Sequence, residues 1–345
     1  MADTTLRVWV LSDRQPGHYN QSRGIVAALA RHRPVAVHWL ELRLRLGLAR
    51  NPLRWILNHC AEPPATDRLK LFYRLPALPP TPCDLVVSSG GKTSFANAWL
   101  ARRTGARNIF AGSLRRLSPT LFDVVLTPEP ITPATPANLV VALPPSAVDI
   151  ARLEPAGRAL RAAQRLEGQL LWALMLGGDG AGYRYRRRDW QTLARVLNRL
   201  AADGGARWLL LGSRRTGAAA ERLLQQGLER RHVAASCWHR DAEVAPVEAY
   251  LGAADQVFVT EDSMTMLTEA ISSQRPVVSL RPADVAPTAR YAAMIERFAA
   301  HGWLCRYAIE ELASGRRTLN DQRCRVLETP PLQTLSQQLV ERLRL

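Results

Sequence analysis

The chain has 345 residues, too many for one ordinary hydrophobic core and enough for two domains. Its 47% hydrophobic content excludes wholesale disorder, and no apolar run is long enough to span a membrane as a helix. The net charge of +16 is uneven: residues 1–118 hold 18 Lys and Arg against 6 Asp and Glu, and the rest hold 28 against 24, so the positive field sits in the first half.

Short apolar runs rich in β-branched residues alternate with stretches of helical spacing. In the first half, strands are expected at Arg7–Leu11, Val35–Leu40, Leu85–Ser88, Asn108–Ala111, Asp123–Leu126 and Asn138–Ala142. Between the first two, Ile25 and Leu29 mark a helix. Residues 42–48 alternate Leu with Arg or Gly, and Arg50 and Arg54 accompany Leu53, Trp55, Ile56 and Leu57. Arg and Trp in such a mixture suit the interface of an anionic membrane. Pro144-Pro145 ends the first half, and 151–168 reads as a linker or helix. In the second half, strands are expected at Leu170–Leu176, Arg207–Leu211, His232–Cys237, Gln256–Thr260, Val277–Leu280 and Trp303–Arg306. Helical spacing falls at Trp190, Leu193, Val196, Leu197 and Leu200, again at Met266, Leu267, Ala270 and Ile271, and finally at Leu335, Leu339 and Leu343. Unalternated strands suit sheets covered on both faces. The expected fold is therefore α/β, with two Rossmann-like, doubly wound parallel-sheet domains at 1–150 and 169–320. The 321–345 segment is read as a helix able to pack back on the first domain.

In open parallel sheets, ligands bind beyond the carboxyl ends of the strands. After the first strand come Asp13, Gly17, His18, Asn20 and Gln21, leading into a helix expected near Ser22. His18 can move a proton near neutral pH, and Asp13 can act as base or orient it. Asn20 or Ser22 would cap the helix. After the third strand come Ser88-Ser89-Gly90-Gly91-Lys92-Thr93, whose glycines allow close approach to an anion. This is not a nucleoside-triphosphate loop, which needs glycine where Val86 stands. In the second half, Gly177-Gly178-Asp179 follows one strand, Ser213-Arg214-Arg215-Thr216 the next, and Thr260-Glu261-Asp262-Ser263 a third. Paired arginines suit phosphate, a capped helix can aim N–H groups at a diphosphate, and Glu269, farther along that helix, could hold a ribose. Three such loops in one domain point to a nucleotide.

These motifs together, with Pro16, Leu176, Met266, Ala270 and Pro276-Val277, resemble the ELM family, named for elongated mitochondria in plants and rich in bacterial members. The segment before Arg7 is no transit or signal peptide, so the chain is read as a bacterial-type member in the cytoplasm. The layout is also similar to the GT-B glycosyltransferases, including the peripheral-membrane enzymes that glycosylate lipid I. Gly17-His18 stands where those enzymes have a Gly-His loop, Gly177-Gly178 where their donor domain opens, and Thr265, Thr268 and Glu269 before Arg275-Pro276 where their donor helix ends. This chain has only Gly17 where that first loop is richer in glycine, so the lipid-pyrophosphate acceptor does not carry over.

The resemblance implies two domains facing across a cleft and sugar transfer from a nucleotide-sugar to an acceptor at or near the inner membrane. It implies helix N-termini and Arg, rather than a required metal, at the leaving group. His18 or Asp13 would be the base. Gly177, Gly178, Asp179, Ser213, Arg214, Arg215, Thr216, Thr260, Glu261, Asp262, Ser263, Met266 and Glu269 would hold the donor. Gly17, Asn20, Gln21, Ser89, Gly90, Gly91, Lys92 and Thr93 would face the acceptor. No cofactor is expected beyond the donor. A nucleotide-sugar epimerase and a non-catalytic membrane adaptor are the alternatives. Nucleic acid is not an expected partner, because no aromatic–basic RNA motif or zinc finger accompanies the charge. The five cysteines (Cys60, Cys83, Cys237, Cys305 and Cys324) lack a Cys-x-x-Cys pair and are expected as separate thiols.

Overall fold

A computed structural model describes residues 5–60, 62–240, 246–321 and 323–345. The chain forms two compact units, 1–147 with 331–345, and 148–330.

The first unit holds a six-stranded parallel sheet of β1 (Leu6–Ser12), β2 (Val35–Glu41), β3 (Leu85–Ser89), β4 (Arg107–Ala111), β5 (Val124–Thr127) and β6 (Asn138–Val140), in the order β2-β1-β3-β4-β5-β6. Successive side chains point to opposite faces, and both faces are covered except at the edge strand β2. That strand was expected to be covered but leaves Val37 exposed, because among the described residues no strand flanks it on one side. Val8, Val10, Val87 and Leu126 pack with Ile25 and Leu29 of α1 (Pro16–Ala30). Trp9, Leu11, Val86 and Phe110 pack with Leu53 and Leu57 of α2 (Arg50–His59), Leu69 of α3 (Thr66–Phe72), and Phe95 and Trp99 of α4 (Ser94–Thr104). The Leu/Arg alternation at 42–48 is not a helix. Arg43–Leu44 pairs antiparallel with Tyr73–Arg74 in a two-stranded ribbon. Leu42, Leu53 and Leu57 enter the core, whereas Leu46, Leu48 and Trp55 stay exposed.

The segment 151–168, read as linker or helix, carries α5 (Ile150–Ala163), which belongs to the second unit. Its Gly157 lies against Gly252 of the helix Val247–Ala253: a β-carbon on Gly252 would stand 1.9 Å from the Leu153 carbonyl oxygen, a spacing only glycine permits.

The second sheet comprises β7 (Leu170–Met175), β8 (Ala206–Leu211), β9 (Val233–Cys237), β10 (Gln256–Thr260), β11 (Val277–Arg281) and β12 (Cys305–Ala308). It too is parallel, in the order β9-β8-β7-β10-β11-β12. Its helices are α6 (Arg187–Gly204), α7 (Gly217–Gly227), α8 (Val247–Ala253), α9 (Met264–Ser272), α10 (Ala289–Ala300) and α11 (Ile309–Ala313). One face packs Trp172, Leu174, Trp208 and Phe258 against Trp190, Leu193 and Leu197 of α6 and Leu224 of α7. His232 lies in a 3-10 turn ahead of β9, and β12 begins two residues later than expected, after the left-handed turn at Gly302. The last helix, α12 (Pro331–Leu343), returns to the first unit, where Leu335, Leu339 and Leu343 are buried.

Cys305 and Cys324 form a disulfide, correcting the expectation of five separate thiols. The chain leaves β12 through α11 and comes back beside it, a return that cysteine spacing does not encode. Cys60, Cys83 and Cys237 lie outside that disulfide. Among the described residues, no helix is long and apolar enough to cross a membrane.

Candidate functional site

In each sheet the strand order reverses at one place, and the loops leaving the two strands there diverge to form a crevice. In the first unit those strands are β1 and β3. Arg14 takes a left-handed turn after β1, and α1 begins at Pro16, earlier than expected near Ser22. Pro pre-sets the first helical φ, so Asn20 and Ser22 lie inside the helix and do not cap it. His18 therefore sits in the first turn. Its Nδ1 is 3.0 and 3.1 Å from the two Asp13 carboxylate oxygens, while the Gln15 N–H donates to Asp13. Burial works against the Asp13 carboxylate, but His18, the Gln15 N–H and Lys92 together hold it below the ordinary carboxylate value. The hydrogen bond between Nδ1 and Asp13 fixes the ring, and with the hydrogen on Nδ1 the neutral imidazole has Nε2 as the atom able to take a proton.

The loop after β3 reaches the same place. A β-carbon on Gly90, whose φ is +87°, would stand 2.2 Å from His18 Nδ1. Thr93 Oγ1 donates to the Ser89 and Gly90 carbonyls, and Ser22 Oγ donates to Ser89 Oγ. Ser89 and Thr93 are thus buried fasteners of the turn and are not open acceptor contacts. Gly91 and Lys92 face outward, as do Gly17, Asn20 and Gln21 in part. The side chain of Arg115, which follows β4, lies along Gly91. Nothing in the sequence pattern marked it, because the contact crosses two strands.

In the second unit the reversal lies between β7 and β10. Here three loops interlock. The Gly177 N–H donates to Thr260 Oγ1 at 2.6 Å, the Gly178 N–H to Asp262 Oδ2 at 3.2 Å, and Thr216 Oγ1 to the Leu176 carbonyl at 2.9 Å. A β-carbon on Gly177 would strike the Asp262 carboxylate, and one on Gly178 the Arg215 carbonyl. These two glycines are needed so that the protein's own loops can close on one another. Arg215 pairs with Asp262 at 2.7 Å. Asp262 is buried and, among the described residues, its Oδ1 has no hydrogen-bond partner. Burial raises its carboxyl to about 6, against the opposing pull of Arg215, Thr260 and the Gly178 N–H.

Glu261 is turned inward and departs from its expected role at the donor. Its carboxylate receives Arg306 Nη2 and Tyr183 OH on Oε1, at 2.7 and 2.9 Å. Ser279 Oγ and Arg306 Nε bond Oε2, at 2.7 and 3.0 Å. Burial opposes the charge, yet these donors hold the Glu261 carboxyl below its ordinary value. Tyr291 OH donates to the Glu261 carbonyl. Glu261 is thus the anchor of the loop, and Arg306 its unforeseen partner. Thr216 and Thr260 are likewise buried and bonded internally.

What remains open is Asp179, Ser213, Arg214, Arg215 and the start of α9, where Ser263 is buried as the cap. Ser263 caps that helix, accepting from the Met266 N–H, while Met266 and Glu269 lie half-buried along it. A cavity of about 480 Å³ adjoins Gly178, Asp179 and Arg215 and is walled by Tyr185, Trp190, Arg187 and Arg222 from α6, α7 and the approach to α6. Its volume lies within the ~300–1,000 Å³ of small-ligand sites. Among the described residues, no group of three or more His, Cys, Asp or Glu is placed to share a metal ion.

Comparison with solved structures shows what this fold is similar to. The UDP-GlcNAc 2-epimerase from Methanocaldococcus jannaschii superposes with a TM-score of 0.57 at 11% identity, over 99% of each chain. The UDP-GlcNAc 2-epimerase from Neisseria meningitidis bound to UDP-GlcNAc gives 0.51 at 13%, over 99% of this chain and 100% of that one. CalG4, the calicheamicin glycosyltransferase, gives 0.50 at 12%, over 99% and 94%. The two-sheet α/β architecture is therefore that of GT-B glycosyltransferases and these epimerases. No curated protein matches the chain in sequence. The family model described as Mitochondrial fission ELM1 matches residues 16–333, from the first helical residue past β1 into α12, and the chain belongs to that family.

Proposed function

We propose that this protein is a glycosyltransferase that moves a sugar from a nucleotide-sugar to an acceptor hydroxyl at or near the cytoplasmic membrane. The observation that carries the reading is the interlocked β7, β8 and β10 loop set. It places Gly178, Asp179, Arg215 and Thr216, which precedes α7, on the wall of a cavity of nucleotide size, leaves the neighbouring Arg214 exposed, and continues into the Ser263-capped start of α9. A diphosphate there meets guanidinium groups and helix N–H donors, which neutralise the leaving group without requiring a metal. The fold relatives include UDP-sugar enzymes, which makes a UDP-sugar the first donor to try.

The first unit supplies the base. His18 Nε2 takes the proton of the acceptor hydroxyl as its oxygen bonds to the anomeric carbon. The carbon–oxygen bond to the diphosphate breaks, and the nucleoside diphosphate leaves with the bonding pair. Asp13 stabilises the imidazolium that forms. An epimerase would need no acceptor, and a membrane adaptor would need neither an oriented histidine nor a diphosphate cradle.

The test is a thermal-shift screen with UDP-, GDP-, CMP- and dTDP-sugars, followed by nucleoside diphosphate release with and without a membrane lipid extract. Stabilisation by one nucleotide class and release dependent on the extract are expected. A changed sugar epimer formed without acceptor would overturn transfer in favour of epimerisation, and no response to any nucleotide would overturn both.

A further inference from the structure

A second cavity, of about 740 Å³, lies in the first unit at the carboxyl ends of β1 and β2, between the Asp13 loop and the Arg43–Leu44 ribbon. Arg14, Arg43, Arg50, Arg74 and Lys92 line it, against only two carboxylates, Asp13 and Glu41. Both carboxylates are engaged, Asp13 by His18 and Glu41 by Arg14. Arg43, Arg50, Arg74 and Lys92 form no ion pair among the described residues. Arg43 and Arg74 stand directly opposite each other across the ribbon. Like charges in that position repel unless an anion comes between them.

The lip of the cavity has the opposite character. Gly47 lines it, and the flanking Leu46 and Leu48 are 69% and 82% exposed. The Arg45 N–H and guanidinium bond the Phe72 and Lys70 carbonyls, tying this segment to the one that carries Leu71, which is 63% exposed. Trp55 of α2 is 61% exposed, although Leu53 and Leu57 of the same helix are buried. Cations lining the cavity, with exposed Leu and Trp on the neighbouring segments, match a molecule with a phosphate head and a hydrocarbon tail.

We infer that this cavity takes the phosphate head of an amphiphilic acceptor, whose hydrocarbon chain lies on Leu46, Leu48, Leu71 and Trp55. The inference rests on the transferase reading for its chemistry: the cavity adjoins Asp13, so the head group brings its hydroxyl to the Asp13–His18 pair. Trp55 and the leucines then hold the protein on the membrane from which the acceptor comes.

Full-length protein titrated at fixed ionic strength with dodecyl phosphate below its micellar concentration, inorganic phosphate and dodecyl maltoside tests this. Dodecyl phosphate is expected to bind about tenfold or more tighter than inorganic phosphate, because only it reaches the apolar lip. Arg43→Gln with Arg74→Gln should weaken it by about tenfold or more. Leu46→Ser with Leu48→Ser should bring its affinity down towards that of inorganic phosphate. Equal binding of the two phosphates would point to a soluble phosphorylated ligand and overturn the amphiphile. Equal binding of dodecyl maltoside, or unchanged binding in the double arginine variant, would overturn the phosphate head. UDP titrated in parallel separates the two readings. Normal UDP binding with no dodecyl phosphate binding sinks the acceptor site alone. Tight dodecyl phosphate binding with no nucleotide binding sinks the transferase and leaves the head-group cavity standing.

Discussion

The His18 imidazole lies directly over Gly90, where a β-carbon would come within 2.2 Å of Nδ1. The contact joins the loops of the two strands that flank the reversal of the first sheet. Gly90 also has φ +87°, which costs a non-glycine residue about 1–3 kcal/mol. Gly90→Ala is expected to lose stability of that order and to displace the ring from Asp13. Chemical denaturation measures the first effect, and turnover should fall by more than the stability loss explains.

His18→Gln keeps the size of the side chain and removes the base. Turnover should fall by about 100-fold or more while donor affinity stays near wild type. Single-turnover kinetics with calorimetry decides. A matching loss of donor affinity would make His18 structural, and near-normal turnover would move the base to Asp13.

The donor cradle is tested by Arg214→Ala and Ser263→Ala. Each removes a donor or cap facing the proposed diphosphate and should cost about 1.5–3 kcal/mol of nucleoside diphosphate binding where the bond is charge-assisted. Calorimetry reads this directly. If both variants bind as tightly as wild type, the diphosphate lies elsewhere.

Asp262 gives the site a pH dependence. Its carboxyl titrates at about 6, above the ordinary 3.8, because burial outweighs Arg215. The folded protein therefore holds a proton that the unfolded chain releases, and this group subtracts stability as pH rises from about 4 to about 6. At the site, the carboxylate present above pH 6 repels a diphosphate and occupies Arg215. Asp262→Asn should bind a nucleoside diphosphate more tightly than wild type at pH 8 and equally at pH 5. Comparing the two proteins at each pH cancels the titration of the nucleotide itself. A ratio of affinities that does not change with pH would remove Asp262 from the phosphate environment.

Glu261 and Arg306 form a buried pair, with no exposure of the Glu261 side chain. Arg306→Met leaves the carboxylate desolvated and unpaired, which should cost about 3–5 kcal/mol. Adding Glu261→Gln should recover part of that loss, since a neutral amide needs no counter-charge. Thermal unfolding of the single and double variants tests the coupling. Arg306 also pairs with Glu296, and additive losses would mean that it acts through that residue instead.

The sequence by itself determined the layered fold and the addresses of the loops. Twelve unalternated apolar runs imply twelve covered strands, and parallel strands place their loops at one edge, so Asp13, His18, Gly177, Arg215 and Asp262 could be named from their positions after strands. Hydrophobic spacing is local, and local spacing is enough for that. Only tertiary structure decided which polar residues face outward. Glu261, Thr260, Thr216, Ser89 and Thr93 have the composition of ligand contacts, yet they are consumed by Arg306, Gly177, Leu176, Ser22 and Gly90. Those partners lie 3 to 83 residues away, and even the nearest is chosen by the direction of a side chain, which composition does not carry. The same holds for the Leu/Arg segment at 42–57. Its alternation cannot say which leucines the core takes, and it was packing against α4 that buried Leu53 and Leu57 and left Leu48 and Trp55 at the surface beside an unpaired arginine cluster.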